Sequence, residues 1–522
     1  MKFLQYAKQS GPGWLQAAVT LGGGSLVGAL YLGVIGGYNF MWLQPLAMLC
    51  GVVMLGAISY VTLSTGERPF RTVQKKVSPA LAWAWLIATV IADTVFCAAQ
   101  FALGQGAIQQ NLGGAGIPPF MITFIFFAGA MFLIWTSQKE GKASKVIENF
   151  LKLLVAVVVL AFMGVVLKLA AAGAINWGSI FSGLVPDFGA LFHPTASFQS
   201  AIDASSNPDF WTKYVNSSQR DVIITAFGTA VGINMTFLLP YTLLKRGWGK
   251  KERELSRFDL GFGLFVPFIL ATSFLVIASA SQFHAKTQDV ILEDGSVAEN
   301  AEASYVGILK KRLGDEVPAT ASNAEVIATA NEKLPETDRN LAAMMVKRDA
   351  GALASALEPF LGKAAQPIFG IGVLAMAIST MLVHMMMNGY AISEAFNKVG
   401  NKGVFIAGAA MPAIAGLFSP ILWAGKSKAA LAVPASVTAF CLLPIAYLTF
   451  LLLMNSKSAL GSELPKHRVL VNILMIVATS LATLGSIWVL KGKGTPGMIG
   501  IAALGLLALI GIVGFFRKNK VA

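Results

Sequence analysis

The chain has 522 residues, of which 55% are hydrophobic and only 13% are charged, and its 40 lysines and arginines outnumber 26 acidic residues to give a formal charge of +14. About a quarter of the residues in an ordinary water-soluble domain are charged, so this composition excludes a soluble globular protein, a coiled coil and a disordered chain. The basic excess does not indicate a nucleic-acid partner, because lysines and arginines are spaced between long apolar segments. An integral membrane protein is therefore predicted.

Twelve apolar segments are long enough to cross a bilayer, whose hydrocarbon core of about 30 Å needs about 20 residues of helix. They lie near residues 13–36, 41–64, 80–110, 119–136, 146–172, 221–246, 260–283, 366–396, 403–423, 429–454, 468–490 and 496–516. The alternating ten-residue segments of a transmembrane β-barrel do not occur in the sequence. We therefore predict an all-α membrane protein with about twelve transmembrane helices.

The distribution of charge predicts the orientation. With the N-terminus placed in the cytoplasm, the inner segments carry 23 lysines and arginines and the short outer loops carry 6. The positive-inside rule therefore favours cytoplasmic N- and C-termini, and we expect a plasma (inner) membrane location. Half of the acidic residues, 13 of 26, fall between His284 and Ala365. We expect this acidic insertion to form a small helical cap on the outer side.

Two spans contain residues that favour a break in the helix. Span 1 has three consecutive glycines, Gly22–Gly24, followed by Ser25, and each glycine costs a helix up to about 1 kcal/mol relative to alanine. Span 6 has a second glycine-rich stretch around Gly232, followed by Asn234 in an otherwise apolar segment. Close packing of small residues is an alternative interpretation. Unwound backbone in a membrane must line a protein-enclosed cavity, so we expect one between these two spans.

The two breaks stand at the beginning of two halves of five spans each. Discontinuous helices that begin two inverted repeats, with substrate held between them near the midplane, are the plan of many secondary transporters. The predicted units are 1–172 (first inverted repeat), 173–220 (outer loop), 221–454 (second inverted repeat, with the acidic insertion at 284–365) and 455–522 (spans 11 and 12 with the tail). The sequence has no Walker-type phosphate loop, which disfavours an ATP-driven pump. No span carries paired carboxylates or a nucleophile with its base, so we predict neither an enzyme nor a cofactor.

Short motifs spread over the first eleven spans resemble one transporter family. In chain order they include Gly11-Pro12-Gly13, Lys145-Val146-Ile147-Glu148, Gly183-Leu184-Val185-Pro186, Arg257-Phe258-Asp259 and Leu443-Pro444. Their order is similar to that in the Nramp (natural resistance-associated macrophage protein) divalent-metal transporters. The resemblance implies the Nramp-like transporter fold and a divalent metal substrate such as Mn²⁺ or Mg²⁺.

The predicted substrate site departs from the family pattern at the residues that bind metal there. Gly22-Gly23-Gly24-Ser25 replaces the family's Asp-Pro-Gly-Asn in span 1, and Asn234-Met235-Thr236 replaces its Met-Pro-His in span 6. Glycine and serine offer carbonyl oxygens and a hydroxyl but no carboxylate, and without a carboxylate a divalent cation at the midplane keeps its full charge in a low-dielectric setting. We therefore predict no metal-ligand set of the usual kind. The predicted substrate-binding residues are Gly22, Gly23, Gly24, Ser25, Gly232, Asn234, Met235 and Thr236.

Four residues are candidates for ion or proton coupling. Asp93 is the one acidic residue that we place well inside a span, where an ionisable group is a functional candidate, and it matches a glutamate on the family's proton route. His384 is a candidate proton relay or substrate contact, with a packed core histidine as the alternative. Ser379 and Thr380 are candidate hydroxyl ligands for a coupling Na⁺.

Three functions stay open at this point. The family resemblance implies an ion- or proton-coupled transporter of divalent metal. An unwound glycine run with a helix N-terminus would also suit a small neutral, zwitterionic or carboxylate-bearing organic solute. The third is a receptor or scaffold that keeps the fold without transport and binds a partner through its acidic insertion. The expected partners are a small solute or metal ion, H⁺ or Na⁺ as the coupling ion, and the lipid bilayer.

Overall fold

The computed structural model describes residues 2–138, 142–348, 350–422 and 432–520. Regular structure in these ranges is helical, apart from one isolated β-bridge between Ile291 and Val297. Within the described ranges, ten helices are long and apolar enough to cross a membrane, and a bent pair near the N-terminus makes an eleventh if it is counted as one span. A shorter apolar helix, Lys402–Leu417, lies where we predict the ninth span. The predicted all-α membrane fold is therefore confirmed.

The described residues of the first half of the bundle form eight α-helices. They are α1 (Lys2–Gln9), α2 (Pro12–Thr20), α3 (Gly23–Tyr31), α4 (Leu43–Thr65), α5 (Pro69–Lys76), α6 (Pro79–Gly106), α7 (Pro119–Ser137) and α8 (Lys142–Ala171). Four of them, α2, α5, α6 and α7, have proline in the first turn. The first turn needs no N–H for the intrahelical ladder, and the fixed φ of proline suits a helix start, so proline sets these boundaries.

The rest of the chain continues the bundle and adds the helices of the insertion. The connection and second half contain α9 (Trp177–Ser182), α10 (Ala196–Asp203), α11 (Pro208–Ala230), α12 (Ile233–Lys245), α13 (Arg253–Asp259) and α14 (Val266–Phe283). The insertion contains α15 (Glu299–Leu313), α16 (Asn323–Lys333), α17 (Glu336–Met344), α18 (Ala350–Ala356) and α19 (Glu358–Leu361). The last helices are α20 (Ala365–Ala395), α21 (Lys402–Leu417), α22 (Ser419–Leu422), α23 (Ala432–Met454), α24 (Lys457–Leu460), α25 (Arg468–Lys491) and α26 (Gly494–Lys520).

Helix α11 begins at Pro208, inside the segment that we predict as the outer loop. The side chain of Asn207 accepts the Phe210 N–H at 3.1 Å and caps the helix, with Pro208 in its first turn. Both features favour a helix start at this position. The sixth span therefore extends beyond the apolar segment, and its extension meets the insertion.

The acidic insertion attaches to α11 through one buried carboxylate. Asp338 of α17 accepts the Ser206 N–H at 2.7 Å, Trp211 Nε1–H at 3.0 Å and Arg312 Nε–H at 2.7 Å. Burial alone would raise the pKa of Asp338, but these donors outweigh it and hold the pKa below its usual value. Ionised Asp338 therefore fastens α15 and α17 to the start of the sixth span.

Helix α1 and the last turn of α26 lie at the same end of the bundle. Lys518 of α26 donates to the Gln74 carbonyl oxygen of α5 at 2.8 Å. Arg253 of α13 donates to the Ser64 hydroxyl in the last turn of α4 at 2.5 Å, and α1 packs against α13. We call this the N-terminal end of the bundle. Its location in the cytoplasm stays a prediction.

Candidate functional site

The first predicted break lies between α2 and α3, which form a span bent by 56°. Gly22 stands at the break in an extended conformation, with φ −118° and ψ −171°. A Cβ atom at Gly22 would come within 2.5 Å of Thr380 Oγ1, and one at Gly24 would come within 3.0 Å of Thr229 Cγ2. These glycines therefore let span 1 approach α20 and α11 as well as interrupt the helix.

The second predicted break separates α11 from α12 at Val231 and Gly232, both in extended conformation. The interruption is milder than the first, because α11 and α12 together form one span. Thr20 Oγ1, at the end of α2, donates to the carbonyl oxygens of Thr229 and Ala230 at 3.1 and 2.6 Å. The two interrupted ends are therefore hydrogen-bonded to each other.

A small buried cavity lies where the two breaks meet. Its water-accessible volume of about 20 Å³ is room for about one water molecule. Its walls are formed by Val19, Thr20, Gly22, Gly24, Ser25, Phe96, Gln100, Gly228, Thr229, Gly232, Asn234, Met235, Thr380 and His384. The polar groups among them are hydroxyls, side-chain amides and one imidazole, so a bound particle would meet neutral oxygens.

The structure brings most of the predicted site residues to this cavity. Those in its walls are Gly22, Gly24, Ser25, Gly232, Asn234, Met235, Thr380 and His384. Four candidates, with Asp93 among them, are not in the walls. The other three have contacts elsewhere: Gly23 donates its N–H to Gln100 Oε1 at 2.9 Å. Thr236 accepts Trp85 Nε1–H at 2.9 Å, and Ser379 donates to the Met376 carbonyl at 3.1 Å. These three lie outside the cavity walls.

Three polar wall residues were missing from the sequence interpretation: Thr20, Thr229 and Gln100. Thr20 and Thr229 lie at the ends of α2 and α11, where a hydroxyl can bond carbonyls that unwinding leaves free. Gln100 lies about two helical turns after Asp93 on α6, so both project from the same helix face. The sequence therefore contained a signal for each of them. Thr20 and Thr229 are close to the predicted breaks, and Gln100 has the spacing from Asp93 that places both on one helix face.

Asp93 lies directly behind the cavity wall and is completely buried. Its Oδ1 accepts Asn234 Nδ2–H at 2.9 Å and lies 2.9 Å from His384 Nδ1. His384 stacks on the Phe96 ring with centroids 5.3 Å apart. Within the described ranges, Asp93 Oδ2 is buried and has no hydrogen-bond partner. Two of the predicted coupling residues therefore touch, and Asn234 links both to the cavity.

The described part of the chain lacks the cluster of ligand side chains that forms a conventional transition-metal site. There, no three His, Cys, Asp or Glu side chains cluster closely enough to hold a metal ion. The three cysteines, Cys50, Cys97 and Cys441, are buried and unpaired. A cation in the cavity would therefore be bound by neutral oxygens, with Asp93 as the nearest carboxylate behind Asn234 and His384.

A second buried carboxylate holds the other end of α2. Asp259 accepts the Gly11 N–H at 2.9 Å and the Gly13 N–H at 2.6 Å, and it also accepts the Ser10 hydroxyl. The first N–H groups of a helix lack intrahelical partners, so Asp259 caps α2 from α13. Lys152 of α8 donates to the Ser10 carbonyl at 2.8 Å. The N-terminal half of span 1 is thereby fastened to α8 and α13.

The chain is similar to one protein family and to solved structures of one transporter. The family model described as natural resistance-associated macrophage protein-like matches residues 13–303 and 319–491. One similar solved structure is that of the Eremococcus coleocola manganese transporter in complex with an aromatic bis-isothiourea substituted compound. It is 16% identical in sequence and has a TM-score of 0.68, and the match covers 99% of this chain and 95% of that one. A point mutant of the same transporter is 15% identical with a TM-score of 0.67, covering 97% and 94%.

No curated protein matches the chain. At such low identity the solved structures establish the fold alone, but the family model covers most of the sequence. The resemblance predicted from short motifs is confirmed. The chain belongs to the natural resistance-associated macrophage protein (Nramp) family, whose members are integral membrane transporters.

Proposed function

We propose that the protein is a secondary-active transporter that carries a divalent metal cation through the junction of its two interrupted spans. The observation that carries the proposal is the small, oxygen-lined cavity at which α2, α3, α11 and α12 meet. Family membership supports transport across a membrane, and the similar solved structures are of a manganese transporter.

The size of the cavity favours an ion over an organic solute. A water-accessible volume of about 20 Å³ accepts about one water-sized particle. A zwitterionic or carboxylate-bearing solute has several non-hydrogen atoms, so it would require the walls to move apart. Gly22 and Gly24 already lie against Thr380 and Thr229, and these contacts keep the walls close.

The donor set favours a hard cation that tolerates neutral ligands. Hydroxyl, amide and backbone oxygens suit the hard cations Mg²⁺, Mn²⁺ and Ca²⁺. Met235, also in the wall, is the lining residue whose side chain contains a soft sulfur donor. Because the carboxylate of Asp93 lies one layer behind the wall, we expect weaker binding than at a site with a direct carboxylate ligand.

Asp93 and His384 are proposed as the proton-coupling pair. The buried Oδ2 of Asp93 has no donor within the described ranges, and an unpaired buried carboxylate oxygen is costly unless it gains a proton or a nearby cation. Asn234 contacts both Asp93 and the cavity. The charge state of Asp93 and the presence of a cation at Asn234 would therefore influence each other electrostatically, which is the requirement for coupling proton movement to cation movement. Of the two hydroxyls predicted as Na⁺ ligands, that of Thr380 belongs to the cavity wall and that of Ser379 does not, so we propose H⁺ as the coupling ion.

Uptake into proteoliposomes tests this function. We expect saturable Mn²⁺ or Mg²⁺ entry, with no uptake of amino acids or carboxylates and no competition from them. Ser25→Leu should abolish entry by filling the cavity, whereas Ser281→Leu, outside the cavity on α14, should leave it unchanged. Saturable uptake of an organic solute without divalent flux would overturn the proposal, and so would the absence of any flux.

A further inference from the structure

A second, larger cavity lies at the N-terminal end of the bundle, between α4, α13 and the start of α25. Its water-accessible volume is about 680 Å³, and it shares no residue with the cavity at the helix breaks. One part of its wall is apolar and the other part is basic. An occupant that matches both parts would have one apolar portion and one anionic portion.

The apolar part runs along one side of α4, a helix long and apolar enough to cross a membrane. It includes Val52, Val53, Ala57 and Leu63 of α4, with Val471 and Leu474 of α25 opposite. The distance from Val52 to Leu63 along the helix is about 16 Å at 1.5 Å per residue. Half of the hydrocarbon core of a bilayer is about 15 Å thick. The groove therefore has the length of one acyl chain in one leaflet.

The basic part forms the mouth of the groove at the N-terminal end. It contains Arg253 and Arg257 of α13 and Lys466 and His467 ahead of α25. Arg253 is paired with Glu463 at 2.7 Å. Arg257 and Lys466 are exposed, and neither forms an ion pair in the described part of the structure. The mouth therefore carries uncompensated positive charge next to an apolar wall.

We propose that this groove binds an anionic phospholipid, with its phosphate at Arg257 and Lys466 and one acyl chain along α4. A soluble anion would satisfy the cations but leave the apolar wall in water, and a neutral lipid would cover the wall but leave the cations unpaired. Basic pockets between transmembrane helices bind anionic headgroups for this reason. The inference concerns a site separate from the transport cavity and does not depend on the transported ion.

A glycine in the wall of the groove allows a substitution that fills the groove without disturbing the packing around it. Gly56 of α4 lines the cavity, and a Cβ atom there would meet nothing within 4 Å. Gly56→Leu should therefore project into the space proposed for the acyl chain. Gly129 of α7 also has nothing within 4 Å and lies outside the groove, so Gly129→Leu is a matched control.

Charge variants test the headgroup contacts separately. Arg257→Gln with Lys466→Gln removes the two unpaired cations from the mouth. Lys75→Gln with Lys398→Gln makes the same change in charge at two exposed positions of the N-terminal end that do not line the groove. At about 1 kcal/mol for each basic residue near an anionic lipid surface, the mouth variant should bind roughly thirtyfold more weakly.

The experiment is lipid retention by the full-length protein, measured by native mass spectrometry after titration with phosphatidylglycerol or phosphatidylcholine. We expect wild type to retain one phosphatidylglycerol in preference to phosphatidylcholine, the mouth variant to lose this preference, and Gly56→Leu to lose both lipids. Both control variants should behave like wild type. Equal retention of the two lipids by wild type, or undiminished phosphatidylglycerol retention in the groove variants, would overturn the proposal.

Discussion

Two buried carboxylates at opposite ends of α2 differ in how completely they are hydrogen-bonded. Asp259 caps the start of α2, and both of its oxygens accept hydrogen bonds from Ser10, Gly11 and Gly13. Asp93 lies behind the cavity near the end of α2, and only its Oδ1 is bonded within the described ranges. A fully bonded carboxylate stabilises one conformation, whereas a partly bonded one retains capacity for a proton or a cation.

The largest effect is expected at the fully bonded carboxylate. Asp259→Ala would leave the Gly11 and Gly13 N–H groups unpaired in a buried site, at a cost on the order of 3 kcal/mol. Hydrogen exchange should show faster opening of α2 relative to wild type. Asp203→Ala, a change of an exposed carboxylate on α10, is the control. Unchanged exchange in α2 would mean that Asp259 does not fasten span 1.

The insertion supplies a third, fully bonded carboxylate outside the membrane. Asp338→Asn should weaken docking of the insertion by about 2 kcal/mol, because charge-assisted bonds from Arg312 and Trp211 are lost. The pKa of Asp338 lies below its usual value, so the folded insertion gains stability that is fully present above about pH 4 and is lost as the pH falls through the lowered pKa.

Limited proteolysis of the insertion across this pH range measures the effect. Wild type should become more susceptible only in strong acid, whereas Asp338→Asn should be susceptible already at neutral pH. Equal susceptibility of the two proteins at neutral pH would show that Asp338 does not hold the insertion on α11.

Adding a carboxylate to the cavity should convert weak cation binding into stronger binding. Ser25→Asp places an anionic oxygen in the wall, and we expect divalent affinity to rise about tenfold, equivalent to about 1.4 kcal/mol. Calorimetry with Mn²⁺ measures the change, with Ser25→Asn as the uncharged control. Gly22→Asp is less suitable, since a side chain there would collide with Thr380. An unchanged affinity would place the cation elsewhere.

The smallest stability effect is expected at the partly bonded carboxylate. Asp93→Asn keeps an acceptor oxygen and removes a charge that is incompletely paired, so the free energy of unfolding should change by less than about 1 kcal/mol. Thermal unfolding of the two proteins measures this difference. A loss as large as that for Asp259→Ala would make Asp93 a structural group and erase the contrast between the two carboxylates.

The sequence predicted those features that depend on local composition. Apolar length located the spans, and the glycines at Gly22–Gly24 located the first break, because both properties act within a few residues. The contact between Asp93 and His384 depends on packing of α6 against α20, across 291 residues of chain, and no local pattern determines it. Gly23 and Thr236 belong to the predicted motifs but lie outside the cavity walls, since neighbouring residues of a helix face different directions.

The most direct test of cation transport coupled to Asp93 is Mn²⁺ uptake into proteoliposomes with and without an inward proton gradient. We expect the gradient to accelerate uptake by wild type. Asp93→Asn should remain folded, lose this acceleration and transport at a rate that no longer depends on the gradient. Equal acceleration of wild type and Asp93→Asn would contradict the role of Asp93, and the absence of Mn²⁺ and Mg²⁺ uptake by wild type would contradict cation transport itself.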